Sequence, residues 1–237
     1  MTLSTHDTGL GERARHLQEL MDDPECDPEL LAATLRRFGT INRLVSGWGR
    51  VYRTHLRPHL AGLGRAARVL DIGSGGGDGT PRLSRHARAD GLDVQWLGID
   101  PDPRAHEVAL TRASGDVGFR CTDSTALVAE GAVFDAVLSN HVLHHLAPDE
   151  LRAFTDDSLA LSTGPVLHGD IERSRAAYAL YTVGVTPFAP GTFLRTDGLR
   201  SIRRSYRRDE LAGVLGAQWL VEHPAAFRVL AVGDGRA

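Results

Sequence analysis

The pattern of apolar and polar positions changes near residue 68. Before this point, apolar residues recur at the spacing of an amphipathic helix; they are Leu30, Leu31, Leu35, Phe38, Ile41, Leu44 and Val45. We predict that residues 1–7 are frayed and that residues 8–22 form a helix. A second helix is predicted to begin at Asp27-Pro28 and to continue through residues 29–56, because proline favours the first position of a helix.

After residue 68, short apolar runs alternate with amphipathic stretches. The runs that predict strands are "RVLDI", "DVQWLGID", "VGFRCTD", "FDAVLSN" and "GPVLHGD". Helices are predicted from Thr80 onward and over residues 103–113 and 148–161. This alternation is typical of an α/β protein with a doubly wound parallel sheet. Near the end, "RDELAGVLG" predicts a helix, and "WLVEHPAAFRVLAVG" predicts two strands joined through Pro224, an antiparallel addition to the sheet.

The predicted organisation is a helical cap over residues 1–60 followed by one domain over residues 61–237. Within that domain, residues 172–207 interrupt the alternation with glycines, prolines and many arginines, and we interpret them as an insertion.

Composition narrows the class of protein. The chain is 42% hydrophobic and 24% charged, with a net charge of -3, which gives no reason to expect nucleic acid or an anionic membrane as a partner. All basic residues are arginines, which excludes a lysine Schiff base and a Walker lysine. Cys26 and Cys121 match no metal or redox spacing. Because no apolar run suggests a signal peptide or a membrane span, we expect a cytoplasmic protein, and a homodimer is left open.

The stretch "RVLDIGSGGGDGTPRL" runs from a strand through a glycine turn into a helix. A dinucleotide fingerprint fits poorly, because its last glycine would fall on Asp78 or Thr80. At the end of the strand, Asp71 would repel a pyrophosphate. The same carboxylate would suit a ligand that carries an ammonium group and a positive sulfur.

Two further carboxylates end the next two strands. Asp100 can accept hydrogen bonds from both hydroxyls of a ribose, and Asp123 can accept one from an adenine amino group. Amino acid, ribose and adenine, in this order, make up S-adenosylmethionine, which is therefore the predicted cofactor. The competing interpretation is that these aspartates only cap helices or start turns.

Four segments resemble the successive motifs of class I S-adenosylmethionine-dependent methyltransferases: "VLDIGSGGGDGTPRL", "WLGIDPDP", "CTDSTAL" and "FDAVLSNHVLHHL". In addition, "DGLRSIRRSYRRDEL" resembles the late segment of small-molecule enzymes of the ubiquinone/menaquinone type. The resemblance implies a Rossmann-like seven-stranded sheet with an antiparallel final strand and an N-terminal helical extension.

The resemblance also implies cofactor contacts. Asp71 and Gly73 would face the methionine end, and Gly75 and Gly77 would line the turn. Around the nucleoside, the implied contacts are Asp100 on the ribose, Pro101 or Asp102 beside the adenine, and Asp123 with the Ser124 backbone on the adenine amine. Asn140 and His141 would lie near the sulfonium.

On the acceptor side, a general base would help if the acceptor is a phenol or an enol. His141, His144 and His145 are the candidates, and packing or capping is the alternative for each. His168 and Asp170, which end the fifth strand, are also expected to point toward the cleft. No metal site is expected, because no carboxylate has convincing spacing from these histidines.

Residues 172–207 are the expected cover of the acceptor. Aromatic side chains that could stack on it are Tyr178, Tyr181, Phe188 and Phe193; basic ones that could pair with an acidic acceptor or with Asp197 are Arg195, Arg203 and Arg204. Trp48 and Tyr52 are candidate lid contacts from the N-terminal helices. The alternative is an ordinary amphipathic helix with a solvated basic loop, and plain packing for the two lid residues.

The leading hypothesis is methyl transfer to oxygen of a small phenolic, enolic, carboxylic or polyketide-like acceptor. Methylation of carbon on a quinone-type ring is the closest alternative. A non-catalytic S-adenosylmethionine-binding protein and a nicotinamide-dependent reductase are hypotheses of other classes. Methylation of amino groups and of nucleic acid is disfavoured, because "SNHV" departs from the Asn/Asp-Pro-Pro-aromatic pattern.

Overall fold

The structure is a computed structural model that describes residues 10–237, except the side chains of Leu44 and Val45. The predicted frayed residues 1–7, and the first two residues of the helix predicted over 8–22, lie outside the described residues. Within residues 10–237, no helix combines the length and apolar character that crossing a membrane requires.

A seven-stranded sheet organises the chain in the order β3-β2-β1-β4-β5-β7-β6. The strands are β1 Ala67–Ile72, β2 Val94–Asp100, β3 Val117–Cys121, β4 Ala136–Asn140, β5 Pro165–Ile171, β6 Leu220–Glu222 and β7 Arg228–Asp234. Strands β1 to β5 are parallel, whereas β7 is antiparallel to both β5 and β6. The predicted doubly wound α/β fold with an antiparallel end is confirmed.

Ten α-helices are present in the described part of the chain. They are α1 Pro28–Val45, α2 Trp48–Val51, α3 Arg57–Gly62, α4 Thr80–Ala89, α5 Pro103–Leu110, α6 Ser124–Ala129, α7 Pro148–Ala160, α8 Arg175–Gly184, α9 Leu194–Arg204 and α10 Arg208–Leu215. A π-helical turn, Tyr52–Leu56, joins α2 to α3. Single 3-10 turns occur at Leu20–Asp22, Leu143–His145 and Thr186–Phe188.

Two apolar cores cover the two faces of the sheet. Successive strand residues point to opposite faces, so Val69 lies in one core and Leu70 in the other. Helices α2 to α5 pack on the Val69 face, and α6, α7 and α10 pack on the Leu70 face. Both faces of the parallel strands are therefore buried, which explains their continuous apolar runs.

The N-terminal predictions are wrong in two places. In residues 10–22 the only helical element is the 3-10 turn Leu20–Asp22, because backbone groups of this segment bond to the rest of the protein: the Ala14 amide donates to the Arg203 carbonyl. The long second helix ends at Val45, and Gly47 follows with φ of 73°. In addition, the side chains of Trp48, Val51, Tyr52, Leu56 and Leu60 pack in the Val69 core.

Helix α1 lies over the glycine turn. A Cβ on Gly76 would be 3.1 Å from Leu35 Cβ, and Asn42 Nδ2 donates to Asp78 Oδ2 at 3.1 Å. Residues 172–207, predicted as an insertion, form helices α8 and α9. Helix α1 therefore lies over the end of β1, and α9 lies beside the turn after β4, where Arg204 donates to the His145 carbonyl.

Candidate cofactor and acceptor site

The strand order reverses between β1 and β4, which places a crevice at their carboxyl ends. The glycine turn lies at this point, and Gly73, Gly75 and Gly77 have φ of 69°, 53° and 73°. A Cβ on Gly73 would lie 2.5 Å from Val142 Cγ2, and one on Gly77 would lie 2.7 Å from Phe119 Cζ. In contrast, a Cβ on Gly75 would meet no atom within 4 Å. The turn is therefore packed at both ends and open in the middle.

Asp71 is the next-to-last residue of β1 and lies in this crevice. It is 8% exposed, and its Oδ2 accepts a hydrogen bond from Thr80 Oγ1 at 2.7 Å. Burial is the main reason why the pKa of Asp71 is raised to about 7, and the nearby carboxylates of Asp78 and Asp100 add to the effect against the Thr80 hydrogen bond. A buried carboxyl group of this kind favours a cation in contact with it.

Asp100, at the end of β2, supports the same turn. Its Oδ2 accepts from the Gly75 amide at 2.8 Å, and its Oδ1 accepts from the Asp102 amide at 3.0 Å. Burial raises the pKa of Asp100 despite these two hydrogen bonds. Since each carboxylate oxygen can accept more than one hydrogen bond, Asp100 can still receive ribose hydroxyls. Beside it, Pro101 is exposed, whereas Asp102 caps α5 and pairs with Arg104 at 2.7 Å.

Asp123 and Ser124 lie where β3 gives way to α6. Asp123 is exposed, and its Oδ1 accepts from the Ala126 amide at 2.8 Å, so the capping interpretation of this residue is observed. Ser124 is buried, and its hydroxyl donates to Asp157 Oδ2 at 2.9 Å. Their contacts to an adenine stay a prediction.

Arg228 is a site residue that the sequence analysis missed. It begins β7, is 3% exposed, and donates from Nη2 to Asn140 Oδ1 at 2.6 Å and from Nη1 to His141 Nε2 at 3.1 Å. An available signal was the arginine inside the otherwise apolar run "FRVLAV". Buried arginine is rare without a partner, so it indicates a buried polar site.

His141 sits at the end of β4 with φ of 65°, the left-handed region that few non-glycine residues adopt. Burial, reinforced by the charge of Arg228, lowers the pKa of His141 well below its usual value. A guanidinium only donates hydrogen bonds, so Nε2 of the neutral ring must accept, and the proton resides on Nδ1. His141 therefore presents an N–H donor rather than a free basic lone pair.

His144 is held between two carboxylates. Its Nδ1 is 2.8 Å from Asp170 Oδ1, its Nε2 is 3.2 Å from Glu19 Oε1, and its backbone amide donates to Asp170 Oδ2. Burial opposes the charged form, but Asp170 and Glu19 outweigh it and raise the pKa of His144 to about 9. At 2% exposure and with both ring nitrogens engaged, His144 is not available as a general base in this arrangement.

The remaining histidines differ in their surroundings. His145 is partly exposed, and its Nδ1 lies 3.3 Å from Asp22 Oδ2. The expectation that His168 points toward the cleft is wrong: it is fully buried among the rings of Phe154 and Trp219, and its Nδ1 bonds to the Ser139 hydroxyl at 2.7 Å. Burial accordingly lowers the pKa of His168 to about 3.

Of the two predicted lid contacts from the N-terminal helices, Tyr52 is wrong, whereas the role of Trp48 stays a prediction. Tyr52 is 2% exposed, and its hydroxyl donates to Asp90 Oδ2 at the amino edge of the sheet, away from the crevice. Trp48 is 6% exposed and packs under β5, against Gly169. Helix α1 contacts the crevice through Phe38, whose ring centroid lies 6.4 Å from that of His141. Helical spacing placed Phe38 on the apolar face but could not show what that face covers.

Several predicted acceptor contacts hold helices together. The Tyr181 hydroxyl donates to the Leu194 carbonyl at 2.7 Å and so joins α8 to α9. Tyr178 packs in a small cluster with Leu10 and Ile202. Other members of the predicted set are placed as follows: Phe193 packs near Leu31 and Leu35, Arg195 donates to the Thr182 carbonyl, Arg204 donates to the His145 carbonyl, and Asp197 accepts from the amides of Leu20 and Met21. Arg203 and Phe188 are half-buried.

Comparison with known proteins finds similarity to methyltransferases. Residues 69–161 match the family model described as a methyltransferase domain. The ubiquinone biosynthesis O-methyltransferase of Rhizobium etli is 33% identical over 158 residues, which are 65% of this chain and 59% of that protein. The corresponding protein of Brucella anthropi is 32% identical over 120 residues, 49% of this chain and 46% of that protein. The chain thus spans about half the length of the curated relatives that it matches.

Solved structures show the same fold at low sequence identity. The plantazolicin methyltransferase BpumL, solved with SAH, has a TM-score of 0.58 at 13% identity, with 88% of this chain and 95% of that chain covered. Magnesium protoporphyrin IX methyltransferase from Synechocystis PCC 6803 has a TM-score of 0.50 at 14% identity, covering 90% and 89%.

The seven-stranded sheet, the glycine turn and the carboxylates at the switch point define a methyltransferase fold of the Rossmann-like class. The matched methyltransferase-domain model and the ubiquinone biosynthesis O-methyltransferase relatives support a class I S-adenosylmethionine-dependent methyltransferase.

Proposed function

We propose that the protein transfers a methyl group from S-adenosylmethionine to an oxygen of a small acidic acceptor. The observation that carries this proposal is the opening at Gly75 between the carboxylates of Asp71 and Asp100, at the switch point of the sheet. A backbone free of side chains and flanked by two carboxylates fits a ligand that joins a cationic amino acid to a ribose.

The residues that would hold this cofactor follow from their positions. Asp71 would bind the ammonium group, and Asp100 would accept from the ribose hydroxyls. Asp123 and the Ser124 backbone would lie beside the adenine, although capping of α6 already uses one Asp123 oxygen. When bound, the cofactor supplies the electrophilic methyl group, so the chain itself needs only to orient the acceptor and exclude water.

The charges on the acceptor side favour an anionic oxygen. His141 offers an N–H donor, and Arg228 lies directly behind it with a buried guanidinium. Neither His141 nor His144 has a free basic nitrogen to remove a proton from the acceptor. A nearby positive charge instead lowers the pKa of a phenol, enol or carboxylic acid, so that the acceptor binds with its oxygen already ionised.

The relatives support oxygen as the methylated atom but leave the acceptor open. Ubiquinone biosynthesis O-methyltransferases are named for transfer to oxygen, whereas the structural neighbours include methyltransferases for plantazolicin and for magnesium protoporphyrin IX. Such different acceptors on one fold show that the acceptor has to be found by experiment. The cytoplasmic location and the absence of a nucleic-acid partner stay predictions.

Thermal unfolding in the presence of S-adenosylhomocysteine, and in parallel of NADH, tests which cofactor the protein binds. A ligand at one hundred times its Kd adds about 2.7 kcal/mol of stability, so a clear rise in Tm with S-adenosylhomocysteine alone is expected. Asp100→Ala should weaken that binding by about 1–3 kcal/mol. No rise, or a rise with NADH alone, would overturn the assignment of the glycine turn.

Transfer of a labelled methyl group to a panel of phenols, enols, carboxylic acids and quinone-type rings then tests the reaction. We expect label on oxygen of an acidic acceptor, and Arg228→Gln should lower kcat/KM for it by about 1.5–3 kcal/mol while the S-adenosylhomocysteine shift persists. Label on ring carbon would favour the alternative reaction. Cofactor binding without transfer to any acceptor would favour the non-catalytic hypothesis.

A further inference from the structure

Three potential metal ligands converge beside the crevice from two distant parts of the chain. Glu19 comes from the N-terminal segment, and His144 and His145 come from the turn after β4. Nε2 of His144 is 3.2 Å from Glu19 Oε1, and Nε2 of His145 is 3.8 Å from the same oxygen. Glu19 and His144 are buried, whereas His145 is partly exposed and leaves a path for an ion to enter.

The opposite side of each imidazole also meets a carboxylate. Nδ1 of His144 is 2.8 Å from Asp170 Oδ1, and Nδ1 of His145 is 3.3 Å from Asp22 Oδ2. Histidines that bind metals usually donate their other ring N–H to a carboxylate or carbonyl, which fixes the ring and increases its basicity. Both rings therefore have the support of metal ligands and direct their Nε2 atoms at one glutamate oxygen.

The distances fit a shared ion. Around a tetrahedral zinc with bonds of about 2.0–2.1 Å, neighbouring ligand atoms are roughly 3.3–3.5 Å apart. The separations of 3.2 and 3.8 Å lie on either side of this value, and both are longer than the roughly 2.7–2.9 Å of a direct charge-assisted hydrogen bond. The Ser201 hydroxyl donates to Glu19 Oε1 at 2.6 Å and so orients the carboxylate.

The local charges suit a divalent cation. Glu19, Asp22 and Asp170 are three carboxylates around the two imidazoles. The facing cations are Arg204, whose Nη1 lies 3.5 Å from Asp22 Oδ2, and Arg13, whose Nη2 donates to the His144 carbonyl at 3.2 Å. Asp170 orients His144 and is not one of the proposed ligands, because its oxygens already accept hydrogen bonds from the amides of His144 and Ile171.

We propose that Glu19, His144 and His145 bind a divalent transition-metal ion, with Zn²⁺ as the ion that best fits two imidazoles and one carboxylate. Mg²⁺ and Ca²⁺ prefer oxygen ligands and fit this donor set poorly. Bound there, the metal fixes the N-terminal segment to the turn that carries His141. Its role is to hold this side of the crevice in place; it is separate from the methyl-transfer reaction proposed above.

The test measures the metal content of the full chain after removal of any affinity tag, because tags also bind metals. The wild-type protein is incubated with Zn²⁺, freed of excess by gel filtration and analysed by elemental mass spectrometry. We expect about one zinc per chain in the wild type and much less in Glu19→Gln and His145→Asn. The control is His223→Asn, which removes an exposed histidine paired with Glu172 outside the cluster; it should keep the metal.

A second readout is the electronic spectrum of the Co²⁺-loaded chain. The wild type and His223→Asn should show the intense visible bands of tetrahedral cobalt, whereas the two cluster variants should not. Chelation should lower the Tm of the wild type and leave the Tm of His145→Asn unchanged. His145 is partly exposed, so this variant is expected to fold even if Glu19→Gln does not.

Two results would overturn the metal site: no stoichiometric zinc in the wild type, or stoichiometric zinc in both cluster variants. In the first case the cluster is a metal-free set of ion pairs that ties residues 19–22 to the domain. S-adenosylhomocysteine binding is measured on the same samples. Loss of metal with retained cofactor binding separates this proposal from the proposed function.

Discussion

At the scale of single residues, Asp71 is the group whose environment has the clearest functional consequence. Its carboxyl group is buried, and its pKa is raised to about 7 from the ordinary 3.8. The folded protein without ligand therefore favours the protonated form. By linkage, the stability that this preference gives is present at low pH and is lost as the pH rises toward about 7.

The prediction for Asp71→Asn follows from that sign. A bound ammonium group favours the ionised carboxylate. The affinity of the wild type for S-adenosylhomocysteine should therefore increase with pH, by up to about tenfold per pH unit, until about pH 7, and stay constant at higher pH. The asparagine variant should bind more weakly at pH 8 and lack this dependence. Calorimetric titration from about pH 5.5 to 8.5 measures it, with the exposed Asp93→Asn as control. Equal slopes in wild type and Asp71→Asn would contradict the ammonium assignment.

The carboxylates of this site could be placed from the sequence because each lies within two residues of the end of a strand. Strand ends share one edge of a parallel sheet, so local pattern was sufficient to bring Asp71 and Asp100 together. The partners of the histidines could not be found in this way. Glu19 and His144 are 125 residues apart, and nothing in either local sequence indicates that they meet.

At the scale of elements, first-turn prolines gave several helix starts correctly. Pro81, Pro103 and Pro148 each lie at the beginning of a helix that the sequence predicted. Helix α9 was obscured because the side that it buries is largely polar: Asp197 and Ser201 bond to the N-terminal segment. Apolar periodicity cannot identify a helix whose buried contacts are hydrogen bonds.

The break between α1 and α2 yields a prediction about Gly47. Its φ of 73° is strained for any residue with a side chain, and an added Cβ would be 3.1 Å from Ala225 Cβ. Gly47→Ala should lower the free energy of unfolding by about 1–2 kcal/mol. Gly213→Ala, inside α10 with open space around it, should raise it by about 0.5–1 kcal/mol. Urea denaturation measures the free energy of unfolding of both variants. An unchanged value for Gly47→Ala would show that the left-handed conformation of Gly47 is not needed for the helix break.

At the scale of the whole molecule, the N-terminal segment is joined to the far end of the domain through Arg173. This residue is 1% exposed; its Nε donates to the Leu10 carbonyl at 3.2 Å, and its Nη1 donates to the Ser205 carbonyl at 2.5 Å. The guanidinium also pairs with Glu210 at 2.5 Å. One buried cation thus connects the first described residues, the end of α9 and the start of α10. Such a role depends on three distant segments, which is why sequence pattern left Arg173 unnoticed.

Replacement of this cation should therefore affect the stability of the whole fold. Arg173→Met removes the side-chain donor to the Ser205 and Gly11 carbonyls and the ion pair with Glu210, so the free energy of unfolding should fall by about 2–4 kcal/mol. The matched control is Arg207→Met, because exposed Arg207 also donates to the Leu10 carbonyl, at 2.8 Å. That variant should lose less than about 1 kcal/mol, since an exposed partner is readily replaced by water. Chemical denaturation followed by circular dichroism measures both losses. Similar small losses in the two variants would mean that the N-terminal segment contributes little to the stability of the domain.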